Sequence, residues 1–137
     1  MHEEILGTSL PSVMALAFLG DARHALYVRD RLVRAGISKS KDLNHRAQEF
    51  VTAEAQAVMF RAIEPGLLPD EADVARRAMN SGHLNRPKHA SPGDYRSATA
   101  FEAVIGMLEY IGDRERLAEL FEIADRALAE KQRCDTQ

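Results

Sequence analysis

The sequence predicts an all-α fold, a single compact domain of about six to seven helices. Three observations carry that expectation. Apolar residues recur at three- and four-residue intervals through most of the chain. No run of β-branched residues alternates with polar ones. Ser, Thr, Asp, Pro and Gly fall where helices start and stop. At 137 residues, 45% hydrophobic and 28% charged, the chain is long enough to bury a core and too apolar for disorder. The domain is expected to span residues 1–130, followed by a polar, frayed tail from 131 to 137.

Taken in order, Ser9-Leu10-Pro11-Ser12 supplies cap residues and a first-turn proline. The apolar pattern then runs through Val13, Leu16, Ala17, Leu19, Gly20, Leu26, Tyr27, Val28 and Leu32 until Gly36 stops it. This long first helix, apolar over much of its circumference, is expected to be the central one. Ser40 opens a shorter helix with Leu43, Ala47 and Phe50. Thr52 caps a third through Ala53, Ala57, Val58, Phe60 and Ile63, closed by Pro65-Gly66. A fourth begins near Pro69, with Asp70, Glu71 and Asp73 early and Arg76 and Arg77 late, as the helix dipole favours. Gly82 to Gly93, rich in Gly, His, Asn, Pro and Ser, reads as a long loop. A fifth helix runs from about Tyr95 to Ile111 and ends at Gly112; Asp113 caps a sixth through Leu117, Leu120, Phe121, Ala124 and Leu128.

Composition excludes several classes. The single Cys134 lies in the polar end segment, so one chain can build neither a disulfide framework nor a Cys-based zinc site. A reducing cytoplasm is the simplest setting. The N-terminus has acids where a secretory signal needs bases, and no apolar run approaches the ~18 residues of a membrane span. A net charge of −3 argues against indiscriminate nucleic-acid binding. Charge is nevertheless unevenly placed. Between Arg76 and Arg96 five bases (Arg76, Arg77, Arg86, Lys88 and Arg96) face one acid, Asp94, whereas the segment after Gly112 carries an acidic excess. The basic segment can direct a polyanion to one place, or it is a solvated loop whose bases balance a helix C-terminus.

Two carboxylates stand out. Asp21 sits in Leu16-Ala17-Phe18-Leu19-Gly20-Asp21-Ala22, and its i±3 and i±4 neighbours are Ala17, Phe18, His24 and Ala25. Glu102 sits in Ala98-Thr99-Ala100-Phe101-Glu102-Ala103-Val104-Ile105-Gly106, with Ala98, Thr99, Ile105 and Gly106 at those spacings. Neither has a Lys or Arg partner on its own helix. An unpaired buried anion is costly, so two of them on two apolar helices suggest one shared cation. The alternative is that each is solvated at a helix edge or accepts hydrogen bonds from a distant side chain.

At these residues a resemblance enters. Phe18-Leu19-Gly20-Asp21-Ala22 resembles the FLGDA/S core of the ribonuclease III catalytic domain, and Phe101-Glu102-Ala103-Val104-Ile105-Gly106 resembles its second motif, EALIG. They lie about 80 residues apart in the family's order, on helices of an all-α chain. The likeness is closest to the Mini-ribonuclease III subfamily, which has the nuclease domain without an appended double-stranded-RNA-binding domain. Leu16 to Ala22 followed by Tyr27-Val28-Arg29, and Tyr95-Arg96 followed by Ser97 to Ala103, are similar to that subfamily's two motifs. The match covers about Leu10 to Ala124, and the chain stops soon after the sixth helix. Ribonuclease III proper has two further acids, where this sequence has Ala17 and Thr99; the smaller subfamily typically lacks both. It typically shows a basic, Asn-containing segment, which Arg77, Asn80, Pro87, Lys88, Tyr95 and Arg96 fit, while Met79 and Gly82 stand where further bases are expected.

The resemblance implies Asp21 and Glu102 as catalytic residues and metal ligands. Phosphodiester hydrolysis needs an activated water and stabilisation of developing negative charge, and a hard divalent cation supplies both. Mg²⁺ suits two carboxylates, with Mn²⁺ as a substitute. Arg76, Arg77, Asn80, Arg86, Lys88, Tyr95 and Arg96 are the expected RNA contacts. Thr99 either orients a ligand or water, or bonds back to a backbone carbonyl. His24 is outside the family motif and is expected to pack or sit at a solvent edge; His2, His45, His83 and His89 have no zinc-ligand spacing. The implied partners are double-stranded RNA, as segments of ribosomal RNA precursors, and a second copy of the chain in a homodimer, with no membrane association. Two other classes compete. A non-catalytic all-α dimeric RNA-binding or interaction module leaves Asp21 and Glu102 unexplained, and a di-iron site needs Glu-x-x-His pairs, of which Asp21-x-x-His24 is at most half of one.

Overall fold

The computed structural model of the chain describes residues 9–81 and 90–135. Among these, six α-helices follow one another: α1 (Val13–Arg34), α2 (Ser40–Val51), α3 (Ala53–Ile63), α4 (Pro69–Met79), α5 (Pro92–Ile111) and α6 (Arg114–Asp135), with one 3₁₀ turn at Glu64–Gly66 after α3. The starts are set by local chemistry. Ser12, Thr52, Ser91 and Asp113 each accept a backbone N–H three residues on, at 3.0–3.1 Å. Gly112 ends α5 in the left-handed region, φ 79°, where its missing Cβ removes the strain.

Two boundaries differ from the sequence expectation. The segment read as loop up to Gly93 turns helical at Pro92, because Ser91 caps the helix and Pro92 occupies a first-turn position that needs no N–H donor. The expected frayed tail from Lys131 continues α6 as far as Asp135; Lys131 pairs with Asp135 one turn on, at 2.8 Å. Residues 136–137 lie outside the described residues.

The central helix is α5, not α1. Every residue from Ser97 to Leu108 is buried except Glu102, and α1, α3, α4 and α6 all pack against it. Helix α1 keeps one face bare: Met14, Phe18, Leu26 and Val33 are exposed there, Phe18 at 84%. The apolar excess read from α1 therefore lies partly on the surface, whereas α5 is apolar around its whole circumference and surrounded by other helices.

The α1–α5 contact is the most extensive in the molecule, and two glycines make it. A Cβ at Gly20 would lie 1.7 Å from the Glu102 carbonyl oxygen, and one at Gly106 would lie 1.8 Å from the Leu16 carbonyl oxygen. The two backbones touch, so no side chain fits between them. The outer helices are tied down by polar links. Glu71, fully buried, accepts two hydrogen bonds from Arg116 at 2.8 and 2.9 Å and one from the Leu68 N–H at 2.9 Å, joining the start of α4 to the start of α6. Tyr27 stacks on Phe121 and, with Arg31, holds Asp125, joining α1 to α6.

Gly20→Ala and Gly106→Ala are each expected to destabilise the protein by about 3 kcal/mol or more, the upper end of overpacking costs. Gly66→Ala, where a Cβ meets nothing within 4 Å, should change stability by less than ~1 kcal/mol. Urea denaturation of the three variants checks the contrast.

Candidate active site

The backbone contact at Gly20 and Gly106 decides where the two carboxylates stand. Asp21 follows Gly20, and the Gly20 Cα lies against the carbonyl of Glu102 itself, so the side chains of Asp21 and Glu102 leave the crossing together. They meet: the two carboxyls come within hydrogen-bonding reach of each other, which favours the protonated form of Glu102. Their environments differ. Asp21 is exposed, whereas Glu102 lies mostly within the interior, flanked by the buried residues of α5. The expectation of a carboxylate stranded inside α1 is thus corrected, since the burial cost falls on Glu102. Burial, followed by the hydrogen bond and the charge of Asp21, pushes the Glu102 carboxyl up to about 8.

A third group completes the site. Gln56 of α3, only 3% exposed, donates to Glu102. Sequence reasoning missed it because Gln56 lies in Ala55-Gln56-Ala57, a short helix with no charge nearby on that face. The signal that could have found it is a carboxamide at a position where the helical period calls for an apolar residue.

Two carboxylates form a pair of hard oxygen donors, and such a pair fits Mg²⁺ or Mn²⁺. Among the described residues, no group of three or more His, Cys, Asp and Glu is placed to hold a metal ion, which leaves no closed, zinc-type cage there.

The remaining expected residues divide. Thr99 is buried, and its hydroxyl donates to the Tyr95 carbonyl at 2.9 Å, so it is spent on its own helix and not turned to the carboxylates. His24 is buried behind Asp21: its Nε2 lies 2.8 Å from the Phe50 carbonyl and so carries the hydrogen, and its ring meets Phe101 edge-on at 5.3 Å. Desolvation holds its pKa below the ordinary value, making it a packing group that fastens α1 to the end of α2. Tyr95 lies two turns before Glu102 on the same face of α5, about 10 Å along the axis. Arg76, Asn80 and Arg96 line a groove of about 510 Å³ between α4 and α5, with Met79 and Glu64 in its wall. Arg76 and Arg77 share Asp73, at 2.7 and 3.1 Å, which tempers their charge in the free protein. Arg86 and Lys88 lie outside the described residues, as does Gly82.

Comparison with known proteins bears on this arrangement. Residues 14–113 match the family model described as the ribonuclease III domain. The chain is 40% identical to the Mini-ribonuclease 3 of Symbiobacterium thermophilum over 111 residues, covering 81% of this chain and 85% of that one. It is also 40% identical to the Mini-ribonuclease 3 of Brevibacillus brevis, over 85% of this chain and 87% of that one. A crystal structure of a protein from Fusobacterium nucleatum is similar with a TM-score of 0.76 at 29% identity, covering 82% of this chain and 91% of that one.

The raised Glu102 carboxyl makes a prediction about the metal-free protein. The folded chain holds this proton more tightly than the unfolded one, so the associated stability is fully present below about pH 4.5 and is lost as pH rises towards 8. Glu102→Gln, neutral throughout, escapes that loss. Thermal melting with chelator present should find the variant close to the parent at pH 5 and several degrees more stable at pH 8.5.

Proposed function

The chain belongs to the ribonuclease III domain family and is an endoribonuclease, and on that premise we propose that it hydrolyses phosphodiester bonds of double-stranded RNA with Mg²⁺, Mn²⁺ serving as a substitute. The observation that carries this reading is the meeting of Asp21 and Glu102, the only acids in the two matching motifs, beside the backbone-to-backbone contact of α1 and α5. Asp21 and Glu102 would hold the ion, which when bound supplies an activated water and offsets the negative charge that gathers on the phosphate oxygens. Glu102 would take part as the carboxylate, the form that a divalent cation favours. Asp21, exposed, leaves the site open to a phosphodiester approaching from solvent.

An A-form duplex offers phosphates and 2′-hydroxyls rather than readable base edges, so recognition is by shape and charge. Arg76, Asn80 and Arg96 around the α4–α5 groove, with Arg77 and Tyr95 beside them, would take the phosphates, and Arg86 and Lys88 would extend that surface; an incoming phosphate competes with Asp73 for Arg76 and Arg77. The bare apolar stripe of α1, Met14, Phe18, Leu26 and Val33, supports a homodimer, in which two copies bury the stripe isologously and each presents a site to one strand. The substrates would be double-stranded segments of ribosomal RNA precursors, cut in the cytoplasm. No helix of the described residues is long and apolar enough to cross a membrane.

Purified protein should cleave a labelled RNA duplex only with a divalent cation, and Asp21→Asn or Glu102→Gln should lower the rate by about 10³-fold or more with the fold kept by circular dichroism; undiminished cleavage in either variant overturns the assignment. In the same substrate's binding isotherms, Arg76→Ala combined with Arg96→Ala should weaken affinity and reduce the salt slope by about 2. Phe18→Asp should shift the protein from dimer to monomer in light scattering at micromolar concentration, because an anion then occupies the centre of the apolar stripe.

A further inference from the structure

The family motifs assign two acids to the site and leave Gln56 without a role. Its position is not neutral. The buried face of α3 is otherwise apolar, with Ala55, Ala57, Met59, Phe60 and Ile63, and a carboxamide belongs in such a face only if its donors and acceptor are satisfied. Its satisfaction comes from the site: Gln56 donates to Glu102, and neither of its amide atoms remains among the buried polar atoms without a partner. The side chain is also firmly held. Thr52 caps the helix by accepting from the Ala55 N–H at 3.1 Å, and the Gln56 N–H bonds the Thr52 carbonyl at 3.0 Å, so residue 56 occupies the first secured turn of α3. Helix α3 in turn packs on α5, and Glu102 is gripped between α1 through Asp21 and α3 through Gln56.

We propose that Gln56 is the positioning residue for Glu102: its carboxamide fixes the Glu102 carboxylate so that one oxygen faces Asp21 and the cation they share. The inference rests on the metal-dependent reading above and extends it. A neutral donor suits this task better than a third acid. Two carboxylates balance the charge of one divalent cation, whereas another anion would repel the phosphodiester that must enter. Ala17 and Thr99, one turn before Asp21 and Glu102 on their own helices, offer no second hydrogen bond to Glu102: Ala17 has no polar group, and the Thr99 hydroxyl is bonded to Tyr95. Gln56, arriving from a third helix, supplies the orientation that those positions do not. A carboxylate held on both sides loses less side-chain freedom on binding an ion, and groups that orient a ligand in this way are typically worth about 10–100-fold in metal affinity or activity.

The test compares the parent with Gln56→Leu, close in volume and without polar atoms, and with Gln56→Asn and Asp21→Asn. Mn²⁺ alone is titrated into each protein and followed by electron paramagnetic resonance, and duplex cleavage is measured separately across a Mg²⁺ series. Gln56→Leu should weaken Mn²⁺ binding about 10–100-fold and raise the Mg²⁺ needed for half-maximal rate by a similar factor, with RNA affinity unchanged. Gln56→Asn, which keeps the amide but shortens its reach, should fall between, and it carries the comparison should the Leu variant fail to fold. A purely structural Gln56 would change the melting temperature and leave Mn²⁺ affinity at the parental value, which overturns the proposal, as does a parent that binds no Mn²⁺. A parent that binds Mn²⁺ at Asp21 yet cleaves no duplex overturns the proposed function alone, and the Mn²⁺ titrations still decide the role of Gln56.

Discussion

The structure depends on one contact, the backbone-to-backbone crossing of α1 and α5 at Gly20 and Gly106. Each glycine lies where a single Cβ would run into the opposite helix's carbonyl, at 1.7 and 1.8 Å. At ordinary interaxial distances of 8–10 Å, side chains intervene between helices, and two carboxylates on facing helices can be held apart by them. Here the helices are as close as their backbones permit. Asp21, next to Gly20, and Glu102, whose own carbonyl meets Gly20, are therefore brought side by side without any long side chain having to reach. The glycines of the two motifs are as much a part of the site as the acids, since they set its width.

That width has an energetic consequence. Glu102 stands at a break in an otherwise buried helix, with Asp21 and Gln56 both beside it. Desolvation and the neighbouring charge hold its proton up to about 8, so the metal-free protein carries strain of an electrostatic kind. A cation bound as proposed would relieve the strain by replacing the proton with a larger positive charge, a common trade between stability and function. The rigid frame around the pair, with α5 surrounded by four helices and α6 pinned to α4 by Glu71 and Arg116, keeps the two acids from relaxing apart.

The surface divides its tasks along the chain. Helix α1 turns Gly20 and Leu16 to the core and Met14, Phe18, Leu26 and Val33 to solvent, so one helix carries both the crossing beside the two acids and the exposed apolar stripe that the proposed dimer would bury. A second surface belongs to α4 and the start of α5, where Arg76, Asn80 and Arg96 ring the groove; Ser81, just past α4, reaches Met14 of α1 at 3.3 Å, so the two surfaces adjoin. Arg76 and Arg77 of α4 both pair with Asp73, and such exposed pairs are weak enough to be exchanged for an anion.

Much of this was legible in the sequence, and the reasons are local. Six helices, their caps at Ser12, Thr52 and Asp113, and the left-handed stop at Gly112 follow from short-range hydrogen bonding and backbone sterics, which neighbouring residues determine by themselves. Asp21 and Glu102 could be singled out because each lacks a cation at helical spacing. Other features needed the folded chain. Which helix is central was misjudged, because hydrophobicity does not tell an apolar face buried in the core from one left bare on the surface, and α1 has both. The burial cost fell on Glu102 rather than Asp21 for the same reason. Thr99 turned to its own backbone, and Gln56, 46 residues away from Glu102 in a different helix, became the group beside it. Sequence periodicity fixes which residues share a face of one helix; which faces of different helices meet is decided by close packing, here by two glycines that let backbones touch.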